Sequence, residues 1–231
     1  MEHPYLFFVK LFGIFGEGAG HFAAKYPWVI YSWVLMAFLI VVGALAAKGA
    51  QLVPGKLQNL MEVVVSGIEE FMVDTIGEEG RWLLPLAATT FLYIFLGNLI
   101  GIIPGFFPPT ANLNTTASCA LTVVIFTHVI GIKYHGVGYI KHFMGPVWWM
   151  APLIFVIELI GHMARILSLS FRLFGNMMGH EIVLAILFGL AGAFFAPLPI
   201  MALGIFVSFV QGFVFFLLSI IYFSGAMEHA H

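Results

Sequence analysis

The chain has 231 residues, of which 61% are hydrophobic and 9% charged, with a mean hydropathy of +1.05. A soluble core of this size cannot use that much apolar surface, so lipid has to be part of the solvent. A formal net charge of -2 gives no footing for nucleic acid, the single Cys119 allows no internal disulfide, and neither metal-ligand spacing nor a glycine-rich phosphate loop is present, so no metal or cofactor is expected.

Residues 1–26 mix Glu2, Lys10, Glu17 and Lys25 with aromatics and glycines. They lack a basic n-region and a small-residue cleavage site, and are expected to form an interfacial segment, not a signal peptide. Residues 27–48 begin PWVIYSWVLMAF and stay apolar, with Trp and Tyr near one end as interface anchors. This is the first transmembrane helix.

Over 56–80 the pattern changes. Leu57, Leu60, Met61, Val64, Ile68, Phe71, Met72 and Ile76 recur at helical spacing, while Glu62, Glu69, Glu70, Asp74 and Glu78 take the other side. An amphipathic helix lying on a surface is expected. Its acidic face is either solvated or a dock for a partner helix. The second span covers 82–107 and contains Asn98, and Pro108-Pro109 then breaks the chain. TANLNTTAS, 110–118, leads into a third span over 113–132. Its Asn112, Asn114, Thr115 and Thr116 suit ordinary capping, and equally a water-filled vestibule at a membrane entrance. His128, alone in this span, reads as a satisfied interior residue.

The segment 133–146 carries Lys133, His135, Lys141 and His142, whereas 107–112 carries no charge. By the positive-inside rule 133–146 is cytoplasmic, the amino terminus lies outside and the carboxyl terminus inside. Lys48, Lys56 and Arg81 then also fall inside. From 147 to 192 runs one very long helical stretch, Ala196-Pro-Leu-Pro199 turns the chain, and 200–224 returns as an apolar helix bearing Ser208, Gln211, Ser219 and Tyr222. The first arm exceeds a perpendicular span and must tilt strongly or lie partly in the plane. The expected fold is one all-α polytopic membrane domain, 1–231. It has about five membrane helices and one cytoplasmic-side amphipathic helix, and the last two membrane helices form a long tilted hairpin.

Nearly all the polar chemistry sits on the first arm of that hairpin. At about 100° per residue, Glu158, His162, Arg165, Arg172, Asn176 and His180 share a stripe roughly 80° wide, narrow enough to face one partner or one wet groove. Ser168 sits at its edge and Glu181 looks elsewhere. An arginine at mid-bilayer costs about 2.5–3.5 kcal/mol on insertion scales, and Arg172 cannot shed its proton to escape that cost. Glu158, His162 and Arg165 are spaced for an intramolecular network. Arg172 is not, because the nearest carboxylates in its helix are about 21 Å away at Glu158 and about 13 Å away at Glu181. Its partner has to come from another helix or another chain.

FRLFGNMMGHEI (171–182) and FVQGFVFFLLSIIY (209–222), with GNLIGIIPG (97–105) and TANLNTT before the third span, resemble subunit a of the F-type ATP synthase over nearly the whole chain. The resemblance implies a proton-channel stator. Arg172 is its essential charge, facing a rotor ring of c subunits, and peripheral-stalk b subunits and the rest of the synthase are the other partners. It carries over Asn176, Glu181 and Gln211 as motif residues, and marks Glu158, Arg165 and Ser168 as positions that are polar in many relatives. Two aqueous half-channels are implied on either side of Arg172. Glu181, His180, Asn112, Asn114 and Thr115 suit the outer one, and Glu158, His162 and Ser168 the inner one. Some relatives place a histidine on the last helix opposite the Glu181 position. Here Gly204 stands in that place, and His180 adjoins Glu181.

Two other readings compete. A self-contained secondary proton transporter or antiporter would want inverted repeats, helices broken at mid-membrane in both halves, and a carboxylate beside the arginine. None of these is in the sequence. A structural membrane scaffold would use the stripe only to glue helices together; co-purification with a rotor ring favours the stator, and a monodisperse lone protein the transporter.

Overall fold

A computed structural model describes residues 7, 11, 17–48, 54–103, 105–136, 139, 150–191 and 197–227. Seven α-helices make up most of the described residues: α1 Glu17–Lys25, α2 Pro27–Ala47, α3 Lys56–Ile76, α4 Leu84–Ile100, α5 Leu113–His135, α6 Ala151–Ala191 and α7 Pro197–Met227. Five stretches are long and apolar enough to cross a membrane: Pro27–Ala47, Glu78–Ile100, Leu113–His135, Ala151–Leu190 and Leu198–Met227. Ile40, Ile160, Leu190 and Phe206 point outward from them, where lipid and not water is the compatible surrounding. The chain is thus an all-α polytopic membrane protein. Most of the interfacial segment expected over 1–26, together with Lys141, His142, 147–149 and 196, lies outside the described residues.

The ends of the helices follow from local chemistry. α3 stops at Ile76 because Gly77 takes a φ of 77°, a left-handed conformation that costs glycine little. Glu78 therefore leaves the amphipathic face expected over 56–80. It starts a 3-10 turn, Glu78–Leu83, and lies 3.8 Å from Arg81, which also pairs with Glu69. α4 ends at Ile100, earlier than the expected 107. Gly101 then folds back so closely that a β-carbon there would stand 2.6 Å from Pro108. Asn112 caps α5, its side chain accepting from the Asn114 N–H at 2.9 Å. α5 itself runs past 132 to His135. Pro197 and Pro199 lie in the first turn of α7, where a missing N–H is tolerated. The two prolines start the return helix and do not form the turn.

α6 has 41 residues, about 60 Å at 1.5 Å per residue, which is roughly twice a hydrocarbon core. It must tilt or run partly along the membrane. α7 packs against α4, and Gly212 lets the two approach until its β-carbon position lies 3.4 Å from the Phe95 Cα. Phe91, Phe95, Phe209, Phe213 and Phe216 meet there at edge-to-face and stacked geometries. α3 lays Ile68 and Met72 on Phe216 and Ile220 of α7, leaving its acidic face outward. α5 packs along α6, with Val123 and Ile130 in one core with Leu169, Leu173 and Met177. At one end of the bundle the Lys133 ammonium sits 3.5 Å from the centre of the Trp82 ring, and the Tyr134 hydroxyl donates to the Glu79 carbonyl at 3.2 Å.

Candidate functional site

α6 buries Leu169, Leu173, Met177 and Leu184, a row at helical spacing that turns one face inward. Ser168, Arg172 and Asn176 follow the same i, i+4 rule about 100° round the helix and are exposed, among the exposed Leu167, Phe171 and Met178. A short polar seam therefore runs down an otherwise apolar outer surface. Arg172 donates from Nη2 to Ser168 Oγ at 3.4 Å, a long bond. Among the described residues it has no carboxylate partner. Gln211, half-buried on α7, makes no hydrogen bond to it.

The stripe expected on α6 divides. His162 turns inward and is buried, with Nε2 3.4 Å from Glu158 Oε1. That pair is two thirds of the anticipated network of Glu158, His162 and Arg165. Arg165 does not join it, but lies over the Tyr222 ring of α7 at 5.1 Å from the centroid, a cation–π contact. Two residues with no part in the expected site complete this region. The His128 ring on α5 is 4.6 Å from that of His162, and its Nδ1 is 2.9 Å from the Tyr139 hydroxyl. No spacing rule in the sequence links 128, 139 and 162. Only the packing of α5 on α6 brings them together.

Toward the other end of α6, His180 Nε2 lies 3.1 Å from the Ile200 carbonyl, an acceptor, so that nitrogen carries the proton. Its imidazole occupies the space over Gly204, where a β-carbon would run into the ring. The imidazole beside Gly204 is thus presented to α7 from α6. Glu181 is half-buried and turned off the Arg172 seam.

Asn112 serves as the cap of α5. Asn114 and Thr115 open on a cavity of about 660 Å³ between α2, α4 and α5, which Ser32, Thr90, Tyr93 and Cys119 also line. The Tyr93 hydroxyl donates to Ser32 Oγ at 3.0 Å within it. Arg172, Asn176, His180 and Glu181 do not line this cavity. The cavity beside Asn114 and Thr115 is thus not one that Glu181 and His180 share.

The sequence matches the family model described as ATP synthase A chain over residues 29–224. It is 68% identical to ATP synthase subunit a of Desulfosudis oleivorans over 231 residues, covering all of both chains. It is 57% identical to that of Syntrophobacter fumaroxidans over 240 aligned positions and 54% identical to that of Citrifermentans bemidjiense over 231, again covering all of each chain. With its apolar spans and outward-facing arginine, the chain belongs to the ATP synthase A chain family, as a membrane component of the synthase and not a catalyst on its own.

Proposed function

We propose that Arg172 is the stator charge of a rotary proton motor, and that α6 and α7 carry two aqueous half-channels that end on either side of it. The chain's part in the synthase is that of the proton-channel stator, and a self-contained antiporter is not favoured. The observation that carries the reading of Arg172 is its exposure on an apolar helix face with no carboxylate partner among the described residues. A permanent cation in that setting calls for an anion from another chain. A rotor ring of c subunits, each with a mid-membrane carboxylate, supplies it. The guanidinium favours the deprotonated carboxylate passing by and disfavours its protonated form, and its charge blocks a direct leak between the half-channels.

Glu181 and His180, entered from the side of Asn112, Asn114 and Thr115, belong to the outer half-channel. Glu158, His162, Arg165 and Ser168 belong to the inner one, with Asn176 and Gln211 flanking the arginine. Lys133 against Trp82 supports a common, cytoplasmic side for the basic ends of α4 and α5. The amino terminus then lies outside a bacterial inner membrane and the carboxyl terminus inside. Peripheral-stalk b subunits hold the chain against the torque. Each proton brings about 2.3 kcal/mol per 100 mV, which drives rotation only while the bypass is shut.

The test is a pair of variants in assembled complex. Arg172→Ala abolishes ATP synthesis, and passive proton leak through membranes stripped of the soluble head persists or rises. Arg172→Lys does not rescue synthesis, because a lysine taken out of water between this helix and the ring can lose its proton and its ammonium lacks the planar fork. Near wild-type synthesis in Arg172→Lys would overturn the reading.

A further inference from the structure

We propose that His128 and Tyr139 extend the inner half-channel, forming with His162 and Glu158 a proton wire from α6 to the cytoplasmic end of α5. This rests on the reading of Arg172 given above. Glu158 and His162 form one pair at 3.4 Å, and His128 and Tyr139 a second at 2.9 Å. The two imidazoles join the pairs, with ring centroids 4.6 Å apart and planes inclined by 52°. His162 is buried, and Glu158, His128 and Tyr139 are half-buried, so the row passes through the interior at His162 and reaches the surface at both ends.

Position along the helices fits. His128 stands about 10 Å before the end of α5, and Glu158 about 10 Å into α6. His162 is about 15 Å along α6 from Arg172, on the side where protons leave in synthesis. Gly131 makes the row possible. A β-carbon there would run into the Tyr139 ring, so only a glycine lets that ring lie on α5 and bring its hydroxyl to His128.

The chemistry fits as well. Imidazole takes a proton on one nitrogen and releases one from the other. A proton reaching Glu158 passes to His162 Nε2. Rotation of the contacting rings, or one water, carries it to His128. His128 Nδ1–H then gives its proton to the Tyr139 oxygen while the phenol's own proton leaves to water, so each transfer moves one proton and no net charge builds up. Among the described residues, the charged and titratable groups that face the imidazoles are Glu158 and Arg165 from α6 and Tyr139 from the segment after α5, with Tyr222 of α7 under Arg165. Arg165 and Glu158 thus bring one charge of each sign to the row. Burial pushes the Tyr139 phenol above its usual range, the Glu158 carboxylate adds to this and Arg165 opposes it. The phenol therefore stays a neutral O–H.

The test uses inverted membrane vesicles carrying the whole synthase, with ATP-driven proton uptake measured from about pH 6 to about pH 8, the range in which histidine changes charge. Uptake draws on the cytoplasmic side, where free protons are scarcest at high pH. His128→Phe keeps the ring contact and removes titration. It is expected to slow uptake about tenfold at the alkaline end, below the usual range for a positioned acid–base group, with little effect at the acid end and recovery on adding imidazole. Tyr139→Phe, which removes only one oxygen, shows the same tilt more weakly and serves alone if His128→Phe does not assemble. A pH profile parallel to wild type in assembled Tyr139→Phe, or an equal loss at every pH in His128→Phe without imidazole rescue, overturns the wire. Arg172→Ala in the same membranes separates the two readings. If it keeps synthesis, the stator reading fails. If it abolishes synthesis while His128→Phe behaves as wild type, only the wire fails.

Discussion

The His180 imidazole on α6 fills the space that a β-carbon at Gly204 on α7 would take. The two residues are therefore one joint between the hairpin arms, with the ring supplied from one side and the room for it from the other. The His180 Nε2 bond to the Ile200 carbonyl fixes the ring there.

Any side chain at 204 should displace that imidazole. Overpacking a fitted site costs about 1–3 kcal/mol, and here the cost falls on a residue assigned to the outer half-channel. Gly204→Val is expected to assemble and to slow ATP-driven pumping about tenfold, while the double variant Gly204→His with His180→Gly recovers much of it by returning a ring to the same place. Dye-quench assays on inverted vesicles measure both. A double variant no better than Gly204→Val would show that the place of the ring is not what matters.

Arg165→Ala should be far milder than Arg172→Ala. Arg165 loses a contact with the Tyr222 ring worth about 1 kcal/mol, and His162 keeps Glu158 partnered without it. ATP synthesis is expected to stay within about fivefold of wild type, the factor that 1 kcal/mol commands. If Arg165→Ala proves the more damaging change, the stator charge sits on the other arginine.

Glu181→Gln keeps the shape of a half-buried side chain and removes its proton chemistry. Pumping should fall about tenfold or more with the complex intact, the scale of a positioned acid–base group. Asn114→Ala and Thr115→Ala should each do less, because several polar groups share their cavity. The ordering of the three rates is the measurement. Wild-type pumping in Glu181→Gln would pass the outer role to His180 or to the 112–116 cluster.

The chain alone should not conduct. Arg172 has no carboxylate partner among the described residues, and in the proposed function the two half-channels meet only through a moving carboxylate on the ring. Reconstituted without ring subunits in liposomes under an imposed potential, it should pass no more protons than empty liposomes. Saturable flux would instead favour the self-contained transporter.

The spans, their order, the amphipathic helix and the want of a partner for Arg172 within its own helix were legible in the sequence, because each depends on properties that repeat along one helix. Hydrophobic length identifies a span, and helical periodicity gives the angle of Ser168, Arg172 and Asn176 about their own axis. What periodicity does not report is where the neighbouring helices stand. A stripe roughly 80° wide is broad enough to be shared, and α5 takes His162 from it while Arg172 stays exposed. Glu158 and Arg165 share a face but lie about 10 Å apart along it, so Tyr222 from α7 captures the guanidinium instead. Gly77 and Pro197 moved helix ends through backbone conformation, which the run of apolar residues does not register. His128 and Tyr139, from α5 and the segment after it, meet the α6 stripe only through tertiary packing, as does the His180 ring over Gly204. Such contacts are set by how closely two helices approach, and only the folded chain decides that.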